Sequence, residues 1–229
     1  MAASPTTRPT PLAMLRDEAL GCVRCPLAAG RTQVVFGVGD PHADLMFVGE
    51  GPGRDEDLAG EPFVGRSGKL LDQLMAEELG IDRSSCYIAN VVKCRPPNNR
   101  DPRPDEIEAC RPYLQQQLVL IEPRVVVSLG NFATRLLLAT SEGIRRLRGH
   151  SYPLDLAGGT ASTDPAEATE ATEAGGAPGA GGAGEAPGSV AAHLVPTYHP
   201  AAALRSGGTV LAEMRADFVR AKRLLATPR

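Results

Sequence analysis

The sequence contains no long hydrophobic run. Although 42% of its 229 residues are hydrophobic, no stretch approaches the roughly 18 apolar residues that a membrane-spanning helix needs. The first twelve residues also lack the continuous apolar segment of a secretory leader. We therefore expect a soluble, cytoplasmic protein with enough apolar residues to build one core.

Basic residues are absent from one long segment. Residues 155–190 hold six of the 27 acidic residues and none of the 24 Lys and Arg, so the rest of the chain has 24 bases against 21 acids, although the whole chain has a net charge of −3. A slightly basic remainder is compatible with a nucleic-acid partner but does not require one.

The same segment has few large apolar residues and contains nine Gly and ten Ala. Such a composition cannot bury enough surface to offset its ordering entropy. We expect a disordered Gly/Ala/Glu-rich insertion at 155–190, either a tolerated loop expansion or a binding segment. It would interrupt a single domain over 13–229, preceded by a flexible N-terminus at 1–12.

Four short apolar runs predict buried strands, at 45–49, 87–92, 125–130 and 193–198. They are nearly continuous rather than alternating, which is typical of strands buried on both faces. Helical patterns follow them, at 67–79, 105–121, 131–138 and 211–225. This alternation predicts an α/β fold with a central four-stranded parallel sheet covered by helices on both sides. Ligands of such sheets bind at the carboxyl ends of the strands.

The first predicted strand runs into a glycine-rich loop, Gly49-Glu50-Gly51-Pro52-Gly53. Three glycines in five residues let backbone N–H groups approach a ligand closely. The G-x-G-x-x-G spacing of dinucleotide-binding proteins is missing, and no helix is expected to open at once after the glycines. A simple tight turn explains the loop equally well.

Two further strand ends carry polar side chains. Asn90 offers the donor and acceptor needed to read a base edge, although it could instead cap the loop that follows. His199, whose rotation is limited by Pro200, could donate a hydrogen bond to a developing anion. A lone histidine is more often structural, but three polar strand ends together favour a binding site.

The cysteines suggest a metal site. Cys22 and Cys25 form a C-x2-C pair, while Cys94 and Cys110 are separated by fifteen residues. Because disulfides are rare in the cytoplasm, these four thiols predict a tetrathiolate site, with unrelated buried thiols as the alternative. One close pair and two separated cysteines suit an iron–sulfur cluster at least as well as zinc, and both stay open. Cys86 is expected to be an ordinary core thiol.

Taken together, several segments resemble the family 4 uracil-DNA glycosylases. They are Gly49–Gly53 with Glu56, EPFVG at 61–65, NVVKCRPP at 90–97, RGH at 148–150 and HP at 199–200. The resemblance runs from about Cys22 to the C-terminus, apart from the insertion. It implies a three-layer α/β/α uracil-DNA glycosylase fold and a structural 4Fe-4S cluster, whose ligands would be Cys22, Cys25, Cys94 and Cys110.

The resemblance also implies a uracil pocket lined by Gly49, Glu50 and Gly51. Phe63 would stack on the flipped uracil, and Asn90 would read its Watson–Crick edge. Glu56 would lie near C5 of the base, where the methyl group of thymine would have to fit.

The chemical roles follow from the same resemblance. His199 would donate to O2 of the departing uracil, and Glu50 would hold a water molecule or stabilise the sugar cation. Leu204, in the loop after Pro200, would fill the gap left by the flipped base, and Arg205 would contact a phosphate or groove. Further phosphate contacts could come from Arg145, Arg146 and Arg148.

The implied activity is that of a monofunctional uracil-DNA glycosylase in base excision repair, which leaves an abasic site. Its partner would be uracil-containing DNA, single- or double-stranded, and the protein would act as a monomer in the bacterial cytosol or nucleoid. The alternatives are a non-catalytic or covalently trapping uracil-DNA binding protein and an iron–sulfur redox module.

Some residues bear on these alternatives. Relatives that trap uracil-DNA covalently carry a His-containing insertion after the second strand, and no His lies between Asn90 and Cys110 here. Family 5 enzymes have an apolar residue in place of Glu50. Ala201 departs from the more usual His-Pro-Ser. The joint presence of Glu50, Asn90 and His199 argues against a protein that only binds.

Overall fold

The computed structural model describes residues 10–161 and 191–228. In these ranges the strands are β1 (Val38–Gly39), β2 (Leu45–Gly49), β3 (Tyr87–Asn90), β4 (Val125–Leu129), β5 (Tyr152–Asp155), β6 (Thr160–Ala161) and β7 (Ala191–Thr197). The α-helices are α1 (Pro11–Leu20), α2 (Arg54–Ala59), α3 (Arg66–Leu74), α4 (Pro104–Ile121), α5 (Asn131–Leu138), α6 (Ile144–Leu147), α7 (Pro200–Ser206) and α8 (Gly208–Ala226). Helix α3 continues into a π-helical segment, Met75–Leu79.

One sheet contains all of these strands, in the order β1-β3-β2-β4-β7-β5-β6. Its centre, β3-β2-β4-β7, is parallel throughout. Strand β1 pairs with β3 antiparallel at one edge, and β5 and β6 extend the other edge antiparallel. The carboxyl ends of the four parallel strands therefore lie along one edge of the sheet, where a ligand can be reached by residues from each.

Helices cover both faces of the sheet. Along β2, Met46 and Val48 belong to the apolar cluster that includes residues of α1, α4 and α5, whereas Leu45 and Phe47 belong to the cluster that includes residues of α3 and α8. Successive side chains of a strand point to opposite faces, so one continuously apolar strand supplies both cores. The fold is thus a three-layer α/β/α arrangement. No helix in the described ranges is long and apolar enough to cross a membrane.

The predicted central elements are confirmed, and the edges of the sheet are corrected. The four predicted strands correspond to β2, β3, β4 and β7, and the predicted helix at 131–138 coincides with α5. The sheet is not limited to four strands, because β1, β5 and β6 extend it. These strands lack the continuous apolar run used to predict the others. Strands β1 and β6 have only two residues each, and β5 contains Pro153 and is not fully buried.

The expected segment boundaries also need correction. Thr10 caps α1 through its side chain, and Pro11 occupies the first helical turn, so residues 11 and 12 are helical rather than part of a flexible N-terminus. Residues 155–161 complete β5, a turn and β6, so the start of the expected insertion is structured. The rest of it, 162–190, lies outside the described residues.

Two helices lie where loops were expected. Helix α2 opens directly after Gly53, and its first turn carries three acidic residues that favour a helix N-terminus. Leu204 lies within α7 rather than in a loop, because Pro200 starts that helix and the three alanines after it favour helix.

A buried ion pair ties α6 to α8. Arg148 donates two hydrogen bonds to the carboxylate of Asp217, each of 3.0 Å, and a third to the carbonyl oxygen of Glu213 at 2.8 Å. The side chain of Asp217 is only 1% exposed. The guanidinium also lies 5.5 Å from the ring centre of Tyr198, directly before His199. The guanidinium of Arg148 is thus hydrogen-bonded inside the protein. This finding corrects its expected role as a phosphate contact.

We predict that Arg148→Met lowers the free energy of unfolding by roughly 3 kcal/mol, because it leaves the buried carboxylate of Asp217 without its partner. Arg146→Met is the matched control, since Arg146 is 79% exposed and makes one ion pair with Glu142; its effect should stay below about 0.5 kcal/mol. Chemical denaturation of both variants measures the difference. Equal effects would contradict a stabilising role for the buried pair.

Candidate active site

A cleft of about 770 Å³ lies at the carboxyl ends of the parallel strands. The residues that follow β2, end β3 and follow β4 and β7 all reach it: Glu50, Asn90, Gly130 and His199. Gly130 has a φ of +91°, and a Cβ placed there would lie 3.0 Å from the Cβ of His199. The ends of β4 and β7 thus meet closely, and glycine allows both the contact and the backbone conformation.

Asn90 and Phe63 meet over Gly49. A Cβ at Gly49 would lie 2.4 Å from Oδ1 of Asn90 and 2.5 Å from Cζ of Phe63, so no other residue fits without moving them. Oδ1 of Asn90 is buried and has no hydrogen-bond partner among the described residues. Leaving a buried acceptor unpaired costs about 1–3 kcal/mol. A ligand N–H group placed beside the Phe63 ring would remove that cost.

The backbone at Phe63 is held in an uncommon conformation. Its φ is +55°, in the left-handed region that side chains other than glycine rarely adopt. The carbonyl group of Phe63 accepts a hydrogen bond from Arg83, which Asp72 anchors at 2.6 Å. A Cβ at Gly68 would lie 1.6 Å from that carbonyl oxygen, so the turn requires glycine in α3. Strain of this kind is held by surrounding contacts and is common at ligand sites.

The carboxylate of Glu56 joins the two loops of the pocket. It accepts hydrogen bonds from the backbone N–H groups of Gly53 (3.1 Å), Val64 (3.0 Å) and Gly65 (2.9 Å). Gly53 belongs to the glycine-rich loop, while Val64 and Gly65 follow Phe63. Glu56 thus lines the cleft and fixes the loop that carries the aromatic ring.

His199 has a defined tautomer. Its Nδ1 accepts a hydrogen bond from the N–H of Ala201 at 3.2 Å, which caps α7. Burial, with a smaller contribution from Arg205, lowers the pKa of His199 to about 4. The imidazole is therefore neutral at pH 7 and carries its single proton on Nε2. Its ring stacks on Phe63 with the centroids 5.6 Å apart. His199 can thus donate a hydrogen bond into the cleft without being charged.

The pKa of Glu50 is shifted in the opposite direction. Burial, with a smaller contribution from the carboxylate of Asp101, raises the pKa of Glu50 to about 7. Asp101 lines the cleft from the loop between β3 and α4. The preceding residue of that loop, Arg100, forms an ion pair with the fully buried Glu106 of α4 and so holds the loop in place. Glu50 can therefore exchange a proton near neutral pH.

The rim of the cleft carries arginines and an exposed apolar side chain. Leu204 is 51% exposed, and Arg205 is exposed beside it. Arg54 and Arg66 line the cleft from the starts of α2 and α3. Within the described ranges, no carboxylate forms an ion pair with any of these three arginines. They are available to phosphate groups.

The four predicted metal ligands line a second, small cavity. Cys22 and Cys25 reach it from the segment after α1, Cys94 from the segment after β3, and Cys110 from α4. The sulfur atoms receive hydrogen bonds: Arg31 donates to Sγ of Cys94 at 3.5 Å, and the N–H of Lys93 donates to Sγ of Cys110 at 3.3 Å. Arg31 also binds the carbonyl oxygen of Cys22 at 2.6 Å.

The four thiols line this one cavity. In the part of the chain that the structure describes, no three His, Cys, Asp or Glu side chains are arranged to hold a single metal ion. Four thiolates are the ligand set of iron–sulfur clusters, in which the ligands bind different iron atoms of one larger group. Cys86 lies apart, with its thiol donating to Sδ of Met75 at 3.7 Å.

The structure brings the predicted residues together in two places. The cleft is lined by Glu50, Gly51, Glu56, Phe63, Asn90, His199, Leu204 and Arg205, and Gly49 forms its floor below Asn90 and Phe63. The four cysteines share the second cavity. Sequence reasoning missed Asp101 and Gly130. Gly130 closes a predicted strand as Gly49 does, which is a usable signal, whereas nothing local marks Asp101.

Known proteins resemble this chain over most of its length. The family model for the uracil DNA glycosylase superfamily matches residues 36–224. The type-4 uracil-DNA glycosylase of Sulfurisphaera tokodaii is 48% identical over 145 residues, which is 62% of this chain and 66% of that protein. The type-4 enzyme of Archaeoglobus fulgidus is 48% identical over 142 residues, 60% of this chain and 71% of its own. That of Pyrobaculum aerophilum is 38% identical over 198 residues, 85% of each chain.

We predict that Glu50→Gln stabilises the protein increasingly as the pH rises. The folded protein binds the Glu50 proton more tightly than the unfolded chain, so this contribution to stability is present in acid and is lost as the pH rises through about 7. The variant should unfold roughly 2–4 °C higher than the parent at pH 8, equivalent to about 1 kcal/mol, and much closer to it at pH 5.

Thermal unfolding at both pH values checks this expectation. Glu61→Gln is the matched control, because Glu61 is exposed and lies outside the cleft lining. A pH-independent difference between Glu50→Gln and the parent would show that Glu50 titrates normally.

Proposed function

We propose that this chain, which belongs to the uracil DNA glycosylase superfamily as a type-4 uracil-DNA glycosylase, is a monofunctional enzyme. It flips uracil out of DNA and hydrolyses the N-glycosidic bond. Water adds to C1′ of the sugar, the C1′–N1 bond breaks, and uracil departs with a proton, which leaves an abasic site in an uncut strand. This is the first step of base excision repair.

The unpaired Oδ1 of Asn90 carries the proposal for base recognition. N3–H of uracil is a donor that would pair with this buried acceptor, and the amide nitrogen of Asn90 would donate to O4. Cytosine has an acceptor at N3, so it would leave Oδ1 unpaired and face it with a lone pair. A site built to bond a specific N–H group discriminates strongly against analogues that lack it.

Phe63 supplies the stacking surface. Its ring is 5% exposed and is fixed through its own backbone by Arg83 and through the next two residues by Glu56. A flipped base would stack on a ring that cannot move away, so little ordering entropy is lost on binding. Exclusion of the thymine methyl group by Glu56 would follow from the same rigidity, since both oxygens of that carboxylate are already bound.

His199 would stabilise the leaving group. Cleavage places negative charge on uracil, and Nε2–H of the neutral imidazole can donate to O2 as that charge develops. A neutral donor with a fixed tautomer needs no reorganisation during the reaction, and such preorganised donors contribute about 3–4 kcal/mol.

Glu50 would act on the sugar side of the reaction. As a carboxylate it would stabilise positive charge on the sugar or orient the attacking water. Its pKa near 7 means that the carboxylate and the acid are both accessible at neutral pH. The described residues that line the cleft include no lysine, so a Schiff base with strand cleavage is not expected.

The rim of the cleft would hold the DNA. Leu204 would fill the gap left by the flipped base, since it is apolar, exposed and next to the pocket. Arg205, with Arg54 and Arg66, would contact phosphates. These contacts carry no sequence information, which suits an enzyme that must find uracil in any sequence.

The second cavity would hold a 4Fe-4S cluster on Cys22, Cys25, Cys94 and Cys110. The set of four thiols on one cavity and the hydrogen bonds that two of the sulfur atoms receive fit such a cluster. When bound, the cluster would join the segments after α1 and β3 to helix α4.

We predict that the purified protein contains iron and acid-labile sulfide, that Cys25→Ala loses most of both, and that Cys86→Ala retains them. Cys86 is the control because it is a buried thiol outside the cavity. Metal and sulfide analysis of the three proteins measures this. Zinc in place of iron would overturn the cluster assignment.

The glycosylase proposal is tested with a labelled oligonucleotide that contains one uracil. We expect strand cleavage only after treatment with hot alkali, and His199→Ala should be slower by roughly 10²–10³-fold. His150→Ala is the matched control, because His150 is exposed and does not line the cleft. Binding without an alkali-sensitive site would favour a non-catalytic protein, and a heat-stable adduct would favour covalent trapping.

A further inference from the structure

Five consecutive buried residues connect the two sites. Asn90 lies in the cleft and Cys94 at the cysteine cavity, and residues 90–94 are all buried. The segment is held to the glycine-rich loop by backbone hydrogen bonds from Val91 to Gly49 (2.9 Å) and from Val92 to Glu50 (3.1 Å). A displacement at one end therefore reaches the other through a short and rigid piece of chain.

Lys93 lies in this segment and is only 2% exposed. Its Nζ donates to the carbonyl oxygen of Asn90 at 2.8 Å and to Oε1 of Gln117 at 2.5 Å. Gln117 is oriented in turn by its amide nitrogen, which donates to the carbonyl oxygen of Phe36 at 2.9 Å and to the hydroxyl of Tyr87 at 3.3 Å. The ammonium group thus directly holds the backbone of the residue that reads the base.

Among the described residues, no carboxylate pairs with this buried ammonium group. Buried charges are ordinarily paired, because transferring a charged group from water to the protein interior without a counter-charge costs free energy. The two hydrogen-bond acceptors of Nζ among the described residues are neutral oxygens, and the Phe36 ring, 5.9 Å from Nζ, adds only a weak attraction.

The nearby groups that would become anionic are the cysteine thiols, which bind metal as thiolates. Lys93 lines the cysteine cavity, and its backbone N–H group donates a hydrogen bond to Sγ of Cys110. Arg31 lines the same cavity, contacts Sγ of Cys94 and likewise has no carboxylate partner in the described ranges. The guanidinium of Arg31 thus contacts the sulfur atom of one of the four cysteines, and the ammonium group of Lys93 lies within electrostatic range of Cys110; these cysteines would be thiolates when metal is bound.

We infer that Lys93 is a positioning residue that couples the two sites: the liganded thiolates neutralise its buried ammonium group, and that group fixes Asn90 in the position that reads uracil. The inference rests on the proposed function. It assigns the cluster a defined effect on uracil recognition, beyond joining segments of the fold. Because coupling between sites is reciprocal, uracil in the cleft must also stabilise the cluster.

The test uses the loaded protein and follows the visible absorbance of the cluster during extraction by an iron chelator. Lys93→Met should lose the cluster roughly tenfold faster, as is typical when a partner of the metal ligands is removed. The same variant should raise KM for a uracil-containing oligonucleotide more than it lowers kcat. Lys222→Met is the matched control, because Lys222 is exposed and its ammonium group donates to the carbonyl oxygen of Glu78, away from both sites.

A second measurement needs no buried substitution. Free uracil should slow the loss of the cluster from the unsubstituted protein, by roughly fivefold if the coupling is of ordinary size. Free uracil is used instead of DNA because it fits in the cleft and cannot cover the cysteine segment. Cluster loss that is independent of free uracil would overturn the coupling, as would a Lys93→Met variant with unchanged cluster loss and KM.

These outcomes are distinct from failure of the proposed function. If the unsubstituted protein contains no iron or releases no uracil from DNA, the proposed function itself fails. If it does both and the two measurements above show no coupling, only the role of Lys93 is rejected.

Discussion

The absence of a side chain at Gly49 is the constraint on which the pocket depends. The amide of Asn90 and the ring of Phe63 both occupy the space that a Cβ would fill. Because they meet there, a single planar base can be stacked and hydrogen-bonded at the same time. Much of the surrounding structure maintains this meeting: Glu56 and Arg83 fix the loop of Phe63, and Gly68 leaves room for its carbonyl oxygen.

The same enclosure sets the ionisation of the reactive side chains. Burial moves the pKa of Glu50 up and that of His199 down, so both shifts favour the neutral form. The proposed reaction, which separates charge between sugar and base, would benefit from this arrangement. His199 keeps a donatable proton without adding a positive charge to the empty pocket, and Glu50 can become an anion where positive charge develops.

The two sites share structural elements. Strand β3 ends at Asn90 in the cleft, and the chain continues directly to Cys94. Arg31 contacts Cys22 and Cys94, and the next residue, Thr32, donates its backbone N–H to Asp57 of α2 at 2.9 Å. Helix α2 also carries Glu56. A cluster at the cysteines would therefore brace both halves of the pocket, by one route through β3 and by another through α2.

The central strands and helices could be predicted from the amino-acid sequence, because apolar content and periodicity are local properties of the chain. The sequence also identified the strand-end residues Glu50, Asn90 and His199, since parallel strands bring their carboxyl ends to one edge. Short edge strands, the helix that carries Leu204 and the boundary of the insertion were missed or misplaced, because their signals are weak over a few residues. Three facts come from tertiary contacts alone: Arg148 is bound inside the protein, burial and Asp101 raise the pKa of Glu50, and Lys93 has no carboxylate partner among the described residues. Each of these facts depends on contacts between residues distant in sequence or on the desolvation that packing produces, and neither is encoded in any local pattern.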